Sequence, residues 1–308
     1  MQLYKLKSGK IRILMLSFFK AKPTVFVVGC PRSGTTLLQS LLAAHPKIMS
    51  FPETKYFIFL QPHREPRRKK YKIVSRQLYP VLEAFFTKDL NRPEMARRLP
   101  KVGWIGWYTR VFFGLLHDLA WESQKSVIVE KTPEHIDHLD EIERYVPNAK
   151  VIHIIRNGPE VAASMYEVSR QYPKWWKGAS SLDYCVDRWI ETAQRSLTYS
   201  QKENHYLVRY EDLVCDPEAV LVPLCEFLGV PFDPSMLTNY QTTSASLLRD
   251  REKWKHKVSQ AIQPQKSDRF DRVFDDDQKQ YVFDRIAEAG LSHLYIDLPS
   301  SPPSHADT

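Results

Sequence analysis

The stretch 24–42, TVFVVGCPRSGTTLLQSLL, constrains the fold more than any other part of the chain. Its first six residues form a short, continuous, β-branched run, the pattern of a strand buried on both faces. Leu37, Leu38, Leu41 and Leu42 then fall on one stripe of a helix over 35–44, which His45-Pro46 stops. Between strand and helix lies GCPRSGTT. Such a joint presents the N–H groups of residues 33–36 and a helix N-terminus to an anion. The hydroxyls of Ser33, Thr35 and Thr36 add donors, and Arg32 adds charge. Gly29 and Gly34 are spaced as in the phosphate loop G-x-x-x-x-G-K-[ST], but Thr35 occupies the lysine position. The loop suits a phosphate, yet it lacks the side chain that neutralises a nucleoside triphosphate.

The rest of the chain continues the alternation. KIMSF, SVIVEK (126–131), KVIHII (150–155) and HYLVRY (205–210) read as further strands. Helical patterns fill much of 76–122 and recur over 134–145, 159–170 and 181–202. Strands separated by helices predict an α/β fold, a parallel β-sheet flanked by helices on both faces. A composition of 43% hydrophobic and 26% charged residues is enough to bury such a core. Residues 1–20 read as an N-terminal extension and the Pro/Ser-rich 298–308 as a disordered tail. The polar, weakly periodic span 241–277 reads as a lid-like loop.

Lys and Arg outnumber Asp and Glu by 44 to 36, an excess that suits an anionic ligand but is too diffuse to argue for nucleic acid. The four cysteines form no C-x-x-C pair and have no histidine at zinc spacing, so they read as free thiols and a cytoplasmic location is expected. The apolar run 13–19 is too short to span a bilayer and lacks a cleavage site. His135 and His138 sit three apart on one helix face with no third ligand, so no metal site is expected, although His135 could touch an acceptor. PHREPRRKKYK (62–72) is a dense basic run, read as a solvated face or as a receiver for an acidic acceptor or carrier. The tryptophans of GWIGWY and KWWKG read as core or as the lining of an acceptor pocket.

Two motifs, in order, carry a family resemblance. RSGTT after the first strand resembles the 5′-phosphosulfate-binding loop of sulfotransferases that use 3′-phosphoadenosine-5′-phosphosulfate (PAPS). IIRNGPEVAAS, in which Arg156 ends a strand and Ser164 follows in the next helix, resembles their second signature. The resemblance covers roughly residues 24–230. It implies a P-loop-NTPase-like fold, one domain over 21–297 with 55–122 as a helical insertion on the acceptor side, and PAPS as cofactor with 3′,5′-ADP as product. It places Arg32, Ser33, Gly34, Thr35 and Thr36 on the 5′-phosphate, Arg156 and Ser164 on the 3′-phosphate, and Tyr210 of VRYEDL against the adenine. Glu53 in FPETKYF stands at the offset of the catalytic glutamate in tyrosylprotein sulfotransferases, and glycosaminoglycan sulfotransferases also use a glutamate in a comparable region. The resemblance makes it the general base. It likewise makes Lys131 of VEKTPEH, with Arg32, the cation for the transferring group. IQPQKSDRFDRVF resembles a segment that closes over the nucleotide in bacterial relatives, which nominates Arg272 for the 3′-phosphate with Lys266 as competitor. Asp271 and Val273 depart from that segment's glycine and tryptophan.

The residues themselves agree with this reading. Glu53 and Arg156 both follow strands, at the sheet edge where α/β folds bind ligands. A sulfuryl group carries less charge than a terminal phosphoryl, so side-chain cations can suffice without a metal. The expectation is in-line transfer from PAPS to an acceptor hydroxyl, or to an amine, on a small molecule, sugar or peptide. A P-loop kinase using Mg-ATP is the alternative, and Thr35 counts against it. A non-catalytic nucleotide-binding relative is another, and the set Glu53, Lys131 and Arg32 counts against that.

Overall fold

The first strand, β1 (Thr24–Gly29), is buried end to end in the computed structural model, which describes residues 23–176, 181–247, 262 and 268–296. It is the centre of a parallel five-stranded sheet with β2 (Ile48–Ser50), β3 (Val127–Lys131), β4 (Lys150–Ile155) and β5 (His205–Arg209), in the order β2-β3-β1-β4-β5. Val27 lies beside Lys131 of β3 on one side and Ile152 of β4 on the other. The loop after β1 therefore emerges between the ends of β3 and β4. The connection leaving β1 runs to β2 at one edge of the sheet and that leaving β4 runs to β5 at the other, and open α/β sheets bind ligands at such a divergence.

Side chains alternate across a strand, so the two faces of β1 meet different partners. Val25 and Val27 pack with Leu38, Leu41 and Leu42 of helix α1 (Thr35–Ala44) and with Leu221 and Leu224. Phe26 and Val28 pack with Tyr56, Phe57 and Phe112 on the other face. A third cluster, including Val161, Trp189 and Phe270, lies where the helices Gly158–Gln171 and Leu182–Tyr199 meet the loop residue Cys30. Asn157 and Ser181 cap these two helices through their side chains, accepting from the N–H groups of Glu160 and Tyr184.

All five strands fall where the apolar runs predict them. The helical stretch 76–122 divides into Leu78–Ala84, a π turn Phe85–Asp89, Pro93–Arg98 and Ile105–Glu122, with left-handed Asn91 and Pro93 among the breaks. The helix expected over 134–145 is two pieces, a 3₁₀ segment Pro133–His138 and an α-helix Leu139–Tyr145. The span 241–277 is not a continuous loop: Tyr240–Leu247 is a helix packed on α1, and Arg269–Val273 is a short helix against Gly158–Gln171. Each buries only a few residues, Tyr240, Ser244 and Leu247 in one and Phe270 in the other, too few to register as a period. The extension 1–20, the tail 298–308 and Lys266 lie outside the described residues. No described helix is long and apolar enough to cross a membrane.

Candidate active site

The loop after β1 is wound by two left-handed residues, Arg32 (φ 76°) and Gly34 (φ 94°). For arginine that conformation is costly, and such strain concentrates at ligand sites. A Cβ at Gly34 would run into the ring of Tyr210, so glycine is required there twice over. The Ser33 N–H donates to Cys30 O at 3.1 Å, which corrects the expectation that it points into the loop. Leu38 N–H closes the first turn of α1 on Gly34 O, leaving the N–H groups of Thr35, Thr36 and Leu37 without an intrahelical carbonyl. Ser33 Oγ is buried with no hydrogen-bond partner among the described residues. A hydroxyl left that way is costly unless a ligand satisfies it.

Arginines gather around this loop. Arg32 Nε donates to Ser164 Oγ at 3.2 Å, joining the two signature motifs directly. The Arg156 guanidinium stacks over the Tyr210 ring at 4.3 Å, so Tyr210 lies between the loop glycine and that arginine. Trp189 Nε1–H holds the Arg156 carbonyl at 2.9 Å, and Glu211 accepts from the Asn157 N–H at 2.8 Å, which fixes the turn after β4. Burial first, and then the charges of Arg269 and Arg156, pull the Arg32 pKa down to about 10. Crowded cations of this kind favour an anion. The resemblance nominates Arg272, but that side chain is 58% exposed and pairs with Glu167 at 3.1 Å. Arg269, one turn earlier, pairs with the same Glu167 at 3.2 Å, but it is 17% exposed and its charge reaches Arg32. Of these two arginines, Arg269 is the more buried and the one whose charge acts on Arg32.

Glu53 is positioned by its neighbours. Gln39 Nε2 donates to Phe51 O at 2.7 Å, the Thr54 N–H and hydroxyl donate to Glu130 Oε1 at 3.2 and 2.8 Å, and the Lys55 N–H donates to Thr132 Oγ1 at 3.3 Å. Between these tethers Glu53 Oε1 accepts from Lys131 Nζ at 2.6 Å. Glu130, fully buried, also accepts from the Thr132 hydroxyl at 2.7 Å and meets His135 Nδ1 at 2.8 Å. Burial alone would raise the Glu130 pKa, but His135 and the two threonine hydroxyls more than offset it and hold it below the usual carboxylate value. His135 Nε2 accepts from the Phe57 N–H at 3.2 Å, so Nδ1 carries the proton given to Glu130. With both nitrogens engaged and no exposure, His135 is a strut and does not reach an acceptor. His138 pairs with Glu141 at 3.4 Å.

Spacing alone does not nominate Glu130, Glu134 or Arg269. For Glu130 the signal is a charge inside the apolar strand VIVEK. Glu134 Oε2 is buried without a hydrogen-bond partner among the described residues. Burial raises the Glu134 pKa and the Glu53 charge raises it further, while Lys55 and Lys131 act in the opposite direction. A second carboxylate thus shares the surroundings of Glu53. The tryptophans divide: Trp189 is buried behind Arg156, whereas Trp104, Trp107 and Trp175 are at least half exposed.

The model of the family described as "Sulfotransferase family" matches residues 23–234. The protein-tyrosine sulfotransferase of Drosophila melanogaster is 24% identical over 225 residues, covering 72% of this chain and 41% of that protein. Protein-tyrosine sulfotransferase A of Caenorhabditis elegans is 24% identical over 225 residues, covering 72% of this chain and 54% of that one. The chain thus spans about half or less of the length of these relatives. The sulfotransferase domain of the Synechococcus PCC 7002 olefin synthase shares the fold, with a TM-score of 0.59 at 23% identity over 90% of this chain and 96% of that domain. With the family match running from β1 through β5, and its two signature motifs joined at Arg32 and Ser164, the chain belongs to the sulfotransferase family.

Proposed function

We propose that the chain moves a sulfuryl group from PAPS to an acceptor hydroxyl, or to an amine, by in-line displacement with Glu53 as general base. The observation that carries this is the Glu53–Lys131 pair, 2.6 Å apart at the sheet edge where the phosphate loop emerges. A carboxylate so placed takes the acceptor proton as displacement proceeds. Lys131 and Arg32 stabilise the charge that develops on the transferring group.

The loop fits a phosphate-bearing donor on its own features: the unpartnered Ser33 Oγ, the free first turn of α1 and the crowded Arg32, Arg156 and Arg269. Residues 33–36 and Arg32 would hold the 5′-phosphosulfate end. Arg156, with Ser164, would hold the 3′-phosphate, and Tyr210 would lie toward the adenine. PAPS, when bound, supplies the sulfuryl group and leaves as 3′,5′-ADP. A kinase is disfavoured because the loop lacks the lysine that reaches terminal phosphates. The acceptor we take to be a hydroxylated small molecule, sugar or peptide; the protein-tyrosine sulfotransferase relatives support a peptide. A cytoplasmic setting is supported by four cysteines that are all free thiols.

The test is to incubate purified protein with PAPS and acceptor pools and to follow 3′,5′-ADP release. Transfer that persists in EDTA is expected, since side chains provide the positive charge; loss in EDTA with rescue by Mg²⁺ overturns the metal-free reading. Thermal stabilisation by 3′,5′-ADP without metal is expected, and stabilisation by Mg-ATP alone supports the kinase.

A further inference from the structure

Ile73 and Trp104 form an isolated antiparallel bridge, reinforced by Val74 N–H to Gly103 O at 3.0 Å and Ile105 N–H to Lys72 O at 2.9 Å. This pairing joins the end of the basic run 62–72 to the start of the long helix Ile105–Glu122. The result is a ridge of apolar side chains in water. Tyr71 is 59% exposed, Val102 51%, Trp104 68% and Trp107 50%. The Trp107 ring lies over Gly103, where a Cβ would stand 2.6 Å from it, so the ring is seated on the surface and not swung free. Such a cluster is an interaction surface more often than an accident.

The charge around the ridge is of one sign. The helix Pro66–Lys70 buries none of its residues. Arg64, Arg67, Lys69, Lys70 and Lys72 are exposed and have no acidic partner among the described residues. Glu65, the acid within the run, is taken by Arg68, Arg76 and the Ser75 hydroxyl. Uncompensated cations and exposed tryptophans on one ridge call for a partner that is anionic and apolar at once.

We propose that this ridge docks the protein on an anionic membrane surface, with Trp104 and Trp107 at headgroup depth and the cations on the lipid charges. Tryptophan and tyrosine rings settle at the membrane–water boundary, and Lys/Arg clusters bind anionic leaflets. An acidic polypeptide would use the charges but has less use for two half-exposed indoles. The ridge contains none of the residues assigned to sulfuryl transfer, so the proposal stands apart from that reading.

The experiment is sedimentation of the full chain with vesicles of phosphatidylcholine alone and of phosphatidylcholine with phosphatidylserine at roughly seven to three. Retention on the anionic vesicles should exceed that on neutral ones by at least about tenfold and should weaken with salt. Lys69→Glu with Lys70→Glu, and separately Trp104→Ser with Trp107→Ser, should each lose about tenfold while melting temperature and 3′,5′-ADP binding stay unchanged. Tryptophan emission should shift to the blue on anionic vesicles, less so in the Trp double variant. Equal binding to both vesicle types, or wild-type binding by both variants, overturns the proposal. So does retention on soluble poly-glutamate with none on vesicles, which would assign the ridge to an acidic polypeptide.

Discussion

Glu53 and Lys131 form a nearly buried ion pair, Oε1 to Nζ 2.6 Å, with 9% and 2% of their side chains exposed. The pair is held from both ends, since Thr54 and Lys55 are tied to Glu130 and Thr132 on either side of Lys131 in sequence. A carboxylate is thereby fixed beside a cation, the two groups that the proposed transfer needs as proton acceptor and charge stabiliser.

Glu53→Gln keeps the shape but cannot accept the acceptor's proton. Its kcat should fall by about 10²–10⁴-fold. Affinity for 3′,5′-ADP should hardly change if, as proposed, Glu53 faces the acceptor and not the nucleotide. A kcat within about threefold of wild type would clear Glu53 of the base role. Glu134 would be the next candidate, because both nitrogens of His135 are already engaged.

Glu134→Gln tests the second carboxylate. Glu53 raises the Glu134 pKa, and like charges act on each other reciprocally. Removing the charge at 134 makes protonation nearby less favourable. The acid limb of kcat/KM should therefore move to lower pH in the variant, with 3′,5′-ADP binding intact. An unchanged pH profile would show that Glu134 does not feel the reacting centre.

Arg156→Ala should erase most of the preference for 3′,5′-ADP over 5′-AMP, a charge-assisted contact being worth roughly 1.5–3 kcal/mol. Titration calorimetry with both nucleotides measures it. Equal loss for the two ligands would mean that Arg156 only supports Tyr210. In the same assay Arg269→Ala should weaken 3′,5′-ADP more than Arg272→Ala, following their 17% and 58% exposure.

Gly34→Ala combines a left-handed backbone, φ 94°, with a collision against Tyr210. Thermal stabilisation by 3′,5′-ADP should disappear and the melting temperature should drop. Adding Tyr210→Ala removes the collision but leaves the backbone strain, so it should restore little. Full restoration would assign the whole effect to the ring.

Acid stability should depend on a buried histidine pair. His153 Nε2 meets His205 Nδ1 at 2.8 Å, and His205 Nε2 meets Glu143 at 2.9 Å. Burial, and then the His205 charge, hold the His153 pKa at about 3. The unfolded chain takes up that proton near pH 6.5, so stability is present above this value and is lost as pH falls toward 3. Between about pH 7 and pH 5 the loss from one such group is about 2 kcal/mol. Urea unfolding at both pH values should show this slope in the wild type and a flatter one in His153→Gln. Equal slopes would place the acid sensitivity elsewhere.

The sheet and its central loop were legible in the sequence because they depend on local pattern. A short, continuous β-branched run is the pattern of a strand buried on both faces, and a leucine stripe after a Gly/Ser turn is that of a helix laid back on it. Residues at the ends of such strands, namely Arg32, Glu53, Lys131 and Arg156, could then be assigned to one edge. Order along the chain and the parallel topology leave little freedom there.

What the tertiary structure decided are contacts between residues far apart in sequence. Whether His135 is a catalytic group or a strut depends on Glu130 and the Phe57 N–H, which sequence spacing does not connect. Whether Arg269 or Arg272 serves the loop depends on the direction of one turn of a short helix. That a basic run and two tryptophans form one ridge depends on a single bridge between Ile73 and Trp104. Periodicity reports which face of an element is apolar, but not which other element covers it. Charge, burial and hydrogen bonding at a site are set by that second fact, because an ionisable group responds to whatever lies within a few ångströms of it, regardless of its place in the chain.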